Sequence, residues 1–166
     1  MPAIWTLPKT WAVGEIVTAE ALNTHLRDNL DYLKLRDETA LPAAAAGDAA
    51  ALSTTSPTFT DMSAALRLTL VTSGAPVLLG LCGTLTHSTA GAEACFTLTL
   101  NGVNIGDSTY GVQMCSGPGP GLYAAFGWHT VRVLAAGTYQ IAARWRTSTG
   151  TLGTLLATSL YAVELR

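Results

Sequence analysis

Charge is what this sequence has least of. Of its 166 residues only 12% are Asp, Glu, Lys or Arg, about half the usual share, while 49% are hydrophobic and the mean hydropathy is +0.33. A free monomer of this size needs more charge to coat its outside, so the composition implies that much of the surface faces other protein. The formal net charge is −2 and no basic stripe exists, which excludes a nucleic-acid partner held through its phosphates. Long apolar runs are missing too. Thr, Ser, Gly or a charge interrupts the hydrophobic residues every few positions, so no stretch of about 18 can span a bilayer and no membrane insertion is expected. The first 17 residues hold Lys9 between Trp5 and Trp11 and lack the apolar core of a secretory signal, so synthesis in a cytoplasm is expected. Cysteine is scarce and unpaired in pattern. Cys82, Cys95 and Cys115 are an odd number at wide spacing, which fits neither a disulfide framework nor a zinc knuckle; they read as reduced core residues.

Recognisable chemistry is absent as well. No nucleophile elbow, P-loop, zinc-protease helix or dinucleotide fingerprint occurs. His25, His87 and His129 lie far apart, and Asp61, Glu93, Asp107 and Glu164 are isolated acids without the convergence that calcium requires. The expectation is a protein that is not an enzyme and has no metal site and no cofactor.

What charge there is divides the chain. Residues 1–48 hold seven of the eleven acids and four of the nine bases, so the remaining 118 share nine charges. Within the charged part a helix is predicted over residues 18–38. Thr18 is the N-cap, Glu20 puts negative charge in the first turn, and Val17 with Leu22 can staple the cap. Leu22, Leu26, Leu30 and Leu33 follow at spacings of four, four and three and form one apolar stripe suited to bundling. His25 and Asn29, one turn apart beside the stripe, would be polar layers setting register if three such helices bundled. Upstream, Pro8 and Gly14 break any helix, so residues 1–17 read as an extended anchoring arm. Trp5 and Trp11, with Val17, are its candidate partner-binding residues, since large rigid rings give much contact at little entropic cost. The alternative is that both rings fold back on the chain's own β domain. Residues 39–63, rich in Ala and then in Ser and Thr, read as a linker or strap.

From residue 64 to 166, short β-type runs alternate with turn residues about every ten positions, the spacing of an all-β sandwich or barrel. Asn101-Gly102 is the strongest hairpin signal. The run from Cys95 to Leu100 alternates Phe96, Leu98 and Leu100 with Thr97 and Thr99, which predicts a strand at the outside with one polar face. The runs Val77 to Cys82 and Leu155 to Leu165 are apolar on both faces, more than one sandwich interior can absorb. Their second face is expected to meet a neighbouring subunit, with Leu79, Leu81, Leu160, Val163 and Leu165 as interface residues. The alternative cover is the N-terminal helix of the same chain.

The segment from Trp11 to Lys34 resembles a module of tailed-bacteriophage structural proteins with the pattern W-x-x-G-E-x-V-T-A-x-x-L-N-x-H-x-R-D-N-L. Leu134 to Trp145 and the last strand, Ser159 to Leu165, resemble the trimeric jelly-roll domains of phage fibres and of C1q- and tumour-necrosis-factor-like proteins. These resemblances imply a mainly β homotrimer at the virion surface, in which arm and helix attach to other virion proteins, tail or capsid subunits, and an antiparallel jelly-roll-like β-sandwich projects as a knob. They do not choose between a tail-associated fibre and a head decoration. The alternative function is a carbohydrate-binding module that takes host surface glycan through exposed aromatics such as Trp128, Tyr123 or Tyr110; a glycan depolymerase ranks behind it, for want of a carboxylate pair.

Overall fold

Thr18 caps a helix as the sequence requires, its hydroxyl accepting the Ala21 N–H at 3.2 Å in the computed structural model, which describes residues 5–38, 41–155 and 157–165. The helix is not uniform. It runs as α1 (Ala19–Leu22), a wider π-helical turn (Asn23–Arg27) and α2 (Asp28–Glu38). With the strap before it, it forms one unit, Met1–Ala40; Leu41–Arg166 is the other.

Twelve strands build the second unit: β1 (Ala43–Asp48), β2 (Leu52–Thr54), β3 (Thr60–Asp61), β4 (Arg67–Thr72), β5 (Pro76–His87), β6 (Glu93–Leu100), β7 (Val103–Asn104), β8 (Gln113–Ser116), β9 (Ala124–Val133), β10 (Gly137–Thr147), β11 (Leu152–Thr154) and β12 (Thr158–Glu164). All named pairings are antiparallel. In the first sheet β5 carries β9 on one edge and β12, then β11, on the other; β1 and β2 pair outside these. In the second sheet β10 lies between β6 and the strands β3 and β4, while β7 and β8 line the far edge of β6. Chain order alternates between the sheets from β4 to β6 and again from β9 to β11. The fold is a jelly-roll-like β-sandwich.

The interior is the layer between the sheets. Val77, Leu79, Leu81 and Leu85 of β5 and Leu160 of β12 face Leu70, Leu98, Ile141 and Trp145 of the second sheet, each side chain worth about 1.5–3 kcal/mol of burial. Phe96 of β6 and Phe126 of β9 stack with centroids 4.2 Å apart and so join the two sheets directly.

Three expectations are corrected. Of the linker assigned to residues 39–63, of which 39 and 40 lie outside the described residues, the part from residue 41 on belongs to the sandwich, because the alanines of β1 complete the free edge of β12, from Ala43 opposite Val163 to Asp48 opposite Thr158. No alternation is visible in a run of alanines, so only the pairing reveals the strand. The segment from Cys95 to Leu100 is not an outer strand with a polar face: it is central, Thr97 and Thr99 are both buried, and the chain returning after the Asn101-Gly102 turn covers Thr97, whose hydroxyl donates to the Ile105 carbonyl. That turn has positive φ at both residues, as its sequence signals. Of the cysteines, Cys95 is buried, Cys115 half-buried and Cys82 exposed, so only Cys95 is a full core residue. Burial pushes the Cys95 and Cys115 thiols up.

Candidate functional site

Two surfaces are distinctive, one in each unit. In the N-terminal unit the strap runs back along the helix that follows it. Gly14, at φ +85°, allows the reversal, and Glu15 closes it by accepting the Ala12 N–H and pairing with Lys9. Asn29 then holds both polar backbone groups of Thr6: its Oδ1 accepts the Thr6 N–H at 2.9 Å and its Nδ2 donates to the Thr6 carbonyl at 2.9 Å. His25 Nδ1 bonds the Leu7 carbonyl at 3.1 Å. The π turn contributes a further bond. It directs the Asp28 N–H to the Asn23 carbonyl, and the Thr24 carbonyl accepts the Thr6 hydroxyl at 3.0 Å instead.

These contacts correct the role expected of Asn29. It is spent on its own strap and only 5% exposed, so it is not free to form a polar layer between bundled helices, while His25 is half-buried and engages the strap through Nδ1 alone. Trp5 packs its ring 5.8 Å from that of Tyr32, and the Lys9 ammonium sits 4.8 Å over Trp11; both indoles fold onto their own unit yet keep part of their surface open. The apolar stripe stays uncovered. Leu22, Leu26, Leu30 and Leu33 are all exposed, Leu30 by 57%, as are Val17 and Ile16.

The second surface is the outer face of the first sheet. Antiparallel register places residues there in three rows: Ala43, Val163, Leu78 and Val131; Ala45, Tyr161, Gly80 and His129; Gly47, Ser159, Cys82 and Gly127. None of these is charged, and Leu165 and Val133 extend the same side. At Gly80 an added Cβ would lie 2.1 Å from Tyr161 Cζ, so the missing side chain is what lets the tyrosine ring lie across the sheet. Val131 is 51% exposed and Val133 more so. Meanwhile Asp61, Arg67, Glu93, Arg144 and Arg146 belong to the second sheet, where Arg144 and Arg67 share Asp61 and Arg146 meets Glu93. The Arg144 guanidinium beside Asp61 holds that carboxyl below the usual carboxylate range.

Of the five proposed interface residues, Leu79, Leu81 and Leu160 have the wrong parity. They point between the sheets and are completely buried by their own chain, so a neighbour has nothing left to cover. Val163 and Leu165 lie on the open side. Sequence reasoning missed Leu78, Tyr161, Val131 and the alanines of β1, because two apolar parities in one strand cannot be told apart without the opposing sheet.

The aromatics considered for glycan stacking are not one platform. Trp128 turns inward against the core, while Tyr123 and Tyr110 are exposed in connections, and the Arg146 guanidinium lies 5.9 Å from the rings of both Tyr110 and Phe59. Among the described residues no group of three His, Cys, Asp or Glu could hold a metal ion, and no helix is long and apolar enough to cross a membrane.

No family model matches the chain, and no curated protein does. Among solved structures, the Eiger TNF of S. frugiperda aligns with 75% of this chain and 94% of its own, at 12% identity and a TM-score of 0.44. The infectious bursal disease virus Gt strain structure aligns over 75% of this chain and 37% of its own, at 14% identity and a TM-score of 0.45. The C-terminal CBM6 of LamC from Zobellia galactanivorans aligns over 71% and 98%, at 12% identity and a TM-score of 0.33. This chain therefore spans little more than a third of the viral chain. Each similarity is one of chain path.

Proposed function

We propose that the chain is a non-enzymatic structural protein of a tailed-phage particle, displayed at the virion surface as a homotrimer. The strap and helix dock on other virion subunits, and the sandwich packs against its own copies through the outer face of the first sheet. The observation that carries this reading is the segregation of charge: twelve positions in three rows hold no Asp, Glu, Lys or Arg, while the ion pairs Asp61–Arg67, Asp61–Arg144 and Glu93–Arg146 lie on the other sheet. Such a face is poorly suited to water and well suited to an equally uncharged copy of itself. The exposed leucine stripe supports the docking role, since the polar clamp of Asn29 fixes the strap without using that stripe. The three-fold state and the phage setting come from the resemblance of Trp11 to Lys34 and of the last strands.

Sedimentation equilibrium of the whole chain tests the assembly. The mass expected is three times the 17.2 kDa of one chain, and Val163→Asp should give a monomer with an unchanged far-ultraviolet spectrum. A monomeric wild-type protein at micromolar concentration would sink the proposal. For attachment, Leu26→Glu together with Leu30→Glu should leave the trimer intact but keep it off particles; undiminished incorporation would refute the docking role.

A further inference from the structure

The middle row of the outer face of the first sheet carries an imidazole. Ala45, Tyr161, Gly80 and His129 stand side by side across β1, β12, β5 and β9. Because Gly80 has no side chain, the hydroxyl end of the Tyr161 ring lies over it, one strand away from His129. His129 is exposed, with Gly127 and Val131 beside it on β9 and with Leu78 and Cys82 diagonal to it on β5. Tyr161 and Cys82 are therefore the titratable groups that face it from the strands packed alongside. The charged residues of these strands, Asp48, Arg132 and Glu164, have the opposite parity and belong to the other side of the sheet. An adjoining copy that presents the same face brings only the same groups.

Of these side-chain types, imidazole is the one whose ordinary titration falls between about pH 5 and 8. We infer that His129 makes the association of the sandwich copies pH-dependent: the neutral ring is accepted in the contact, and its protonation in mild acid drives the copies apart. The inference rests on the reading of this face as the assembly surface and adds its regulation. A neutral ring buries against Tyr161 and Val131 at little cost. An imidazolium enters the same contact with no carboxylate to pair with, since the three rows hold no Asp or Glu, and every further copy adds another positive charge. Association therefore selects the deprotonated ring. It is full above the free imidazole pKa of about 6.5 and is lost as pH falls below it. With one such ring per subunit, the association constant of a trimer falls by up to about a thousandfold per pH unit in that range, about tenfold for each ring.

The test is sedimentation equilibrium of the whole chain between about pH 8 and 5, with far-ultraviolet spectra taken on the same samples. The wild type is expected to be a trimer at about pH 7.5 and to dissociate, still folded, toward about pH 5. His129→Gln, neutral throughout, should hold the trimer across the range, whereas His129→Lys, charged throughout, should weaken it at every pH. Repeating the series in a His87→Gln background separates dissociation from unfolding, because His87 bonds Thr147 inside the sandwich and takes no part in the face. A wild-type trimer whose association constant is the same at both ends of the range overturns the inference and leaves the assembly reading standing. Acid dissociation that persists in His129→Gln does the same. A wild type that is monomeric at every pH overturns both.

Discussion

His87 illustrates how one buried side chain sets a pH limit. The Thr89 N–H donates to its Nδ1 at 3.0 Å, so Nε2 carries the proton and donates to the Thr147 hydroxyl at 2.8 Å, which in turn donates to the Thr149 carbonyl at 2.6 Å. Burial pushes the pKa of His87 down from the usual imidazole value. A second proton on Nδ1 would also face the Thr89 N–H. The unfolded chain therefore binds this proton first, and stability is full above the unfolded pKa of about 6.5 and falls as pH drops below it. Melting temperatures measured by calorimetry between about pH 7.5 and 5 should be flat and then decline, and His87→Gln should remove that decline.

At the scale of elements, the strap and helix form a hairpin stitched by polar contacts to Thr6. Asn29→Ala removes one acceptor and one amide donor from an almost fully buried site, at a cost of about 2 kcal/mol to local closure, so exchange of the Thr6 amide with solvent should accelerate about 30-fold. An unchanged rate would mean the strap is held by other contacts. Much of this element is legible in sequence. The Thr18 cap, the first-turn Glu20 and the break at Gly14 are local rules, and the leucine spacing of four, four and three is that of one face of a helix. What was not legible is the partner of Asn29. A buried asparagine beside a leucine stripe reads equally well as a contact to another helix, and only the path of residues 5–7 decides it.

For the whole molecule the decisive property is that the two sheets present opposite outsides. Gly80→Ala tests this without adding charge: its Cβ must push the end of the Tyr161 ring off the sheet, which roughens the uncharged face and leaves the interior untouched. The expected result is a weakened association constant in sedimentation with a melting curve of the dissociated chain close to wild type; an unaltered constant would argue that Tyr161 lies outside the contact. The strand runs from Leu66 onward and the Asn101-Gly102 turn followed from alternation and turn chemistry. The sequence by itself determined that charge is scarce, where most strands lie, how the helix begins and that some strands are apolar on both sides. Tertiary structure alone decided that Leu79, Leu81 and Leu160 face inward while Leu78, Tyr161 and Val163 face outward, that the alanines of residues 43–46 are a strand, and that Arg67, Ala142 and Thr99 meet in one row. The physical reason is that a strand's period of two tells which residues share a face but not which face is covered, and only the register against neighbouring strands and the opposing sheet supplies that choice.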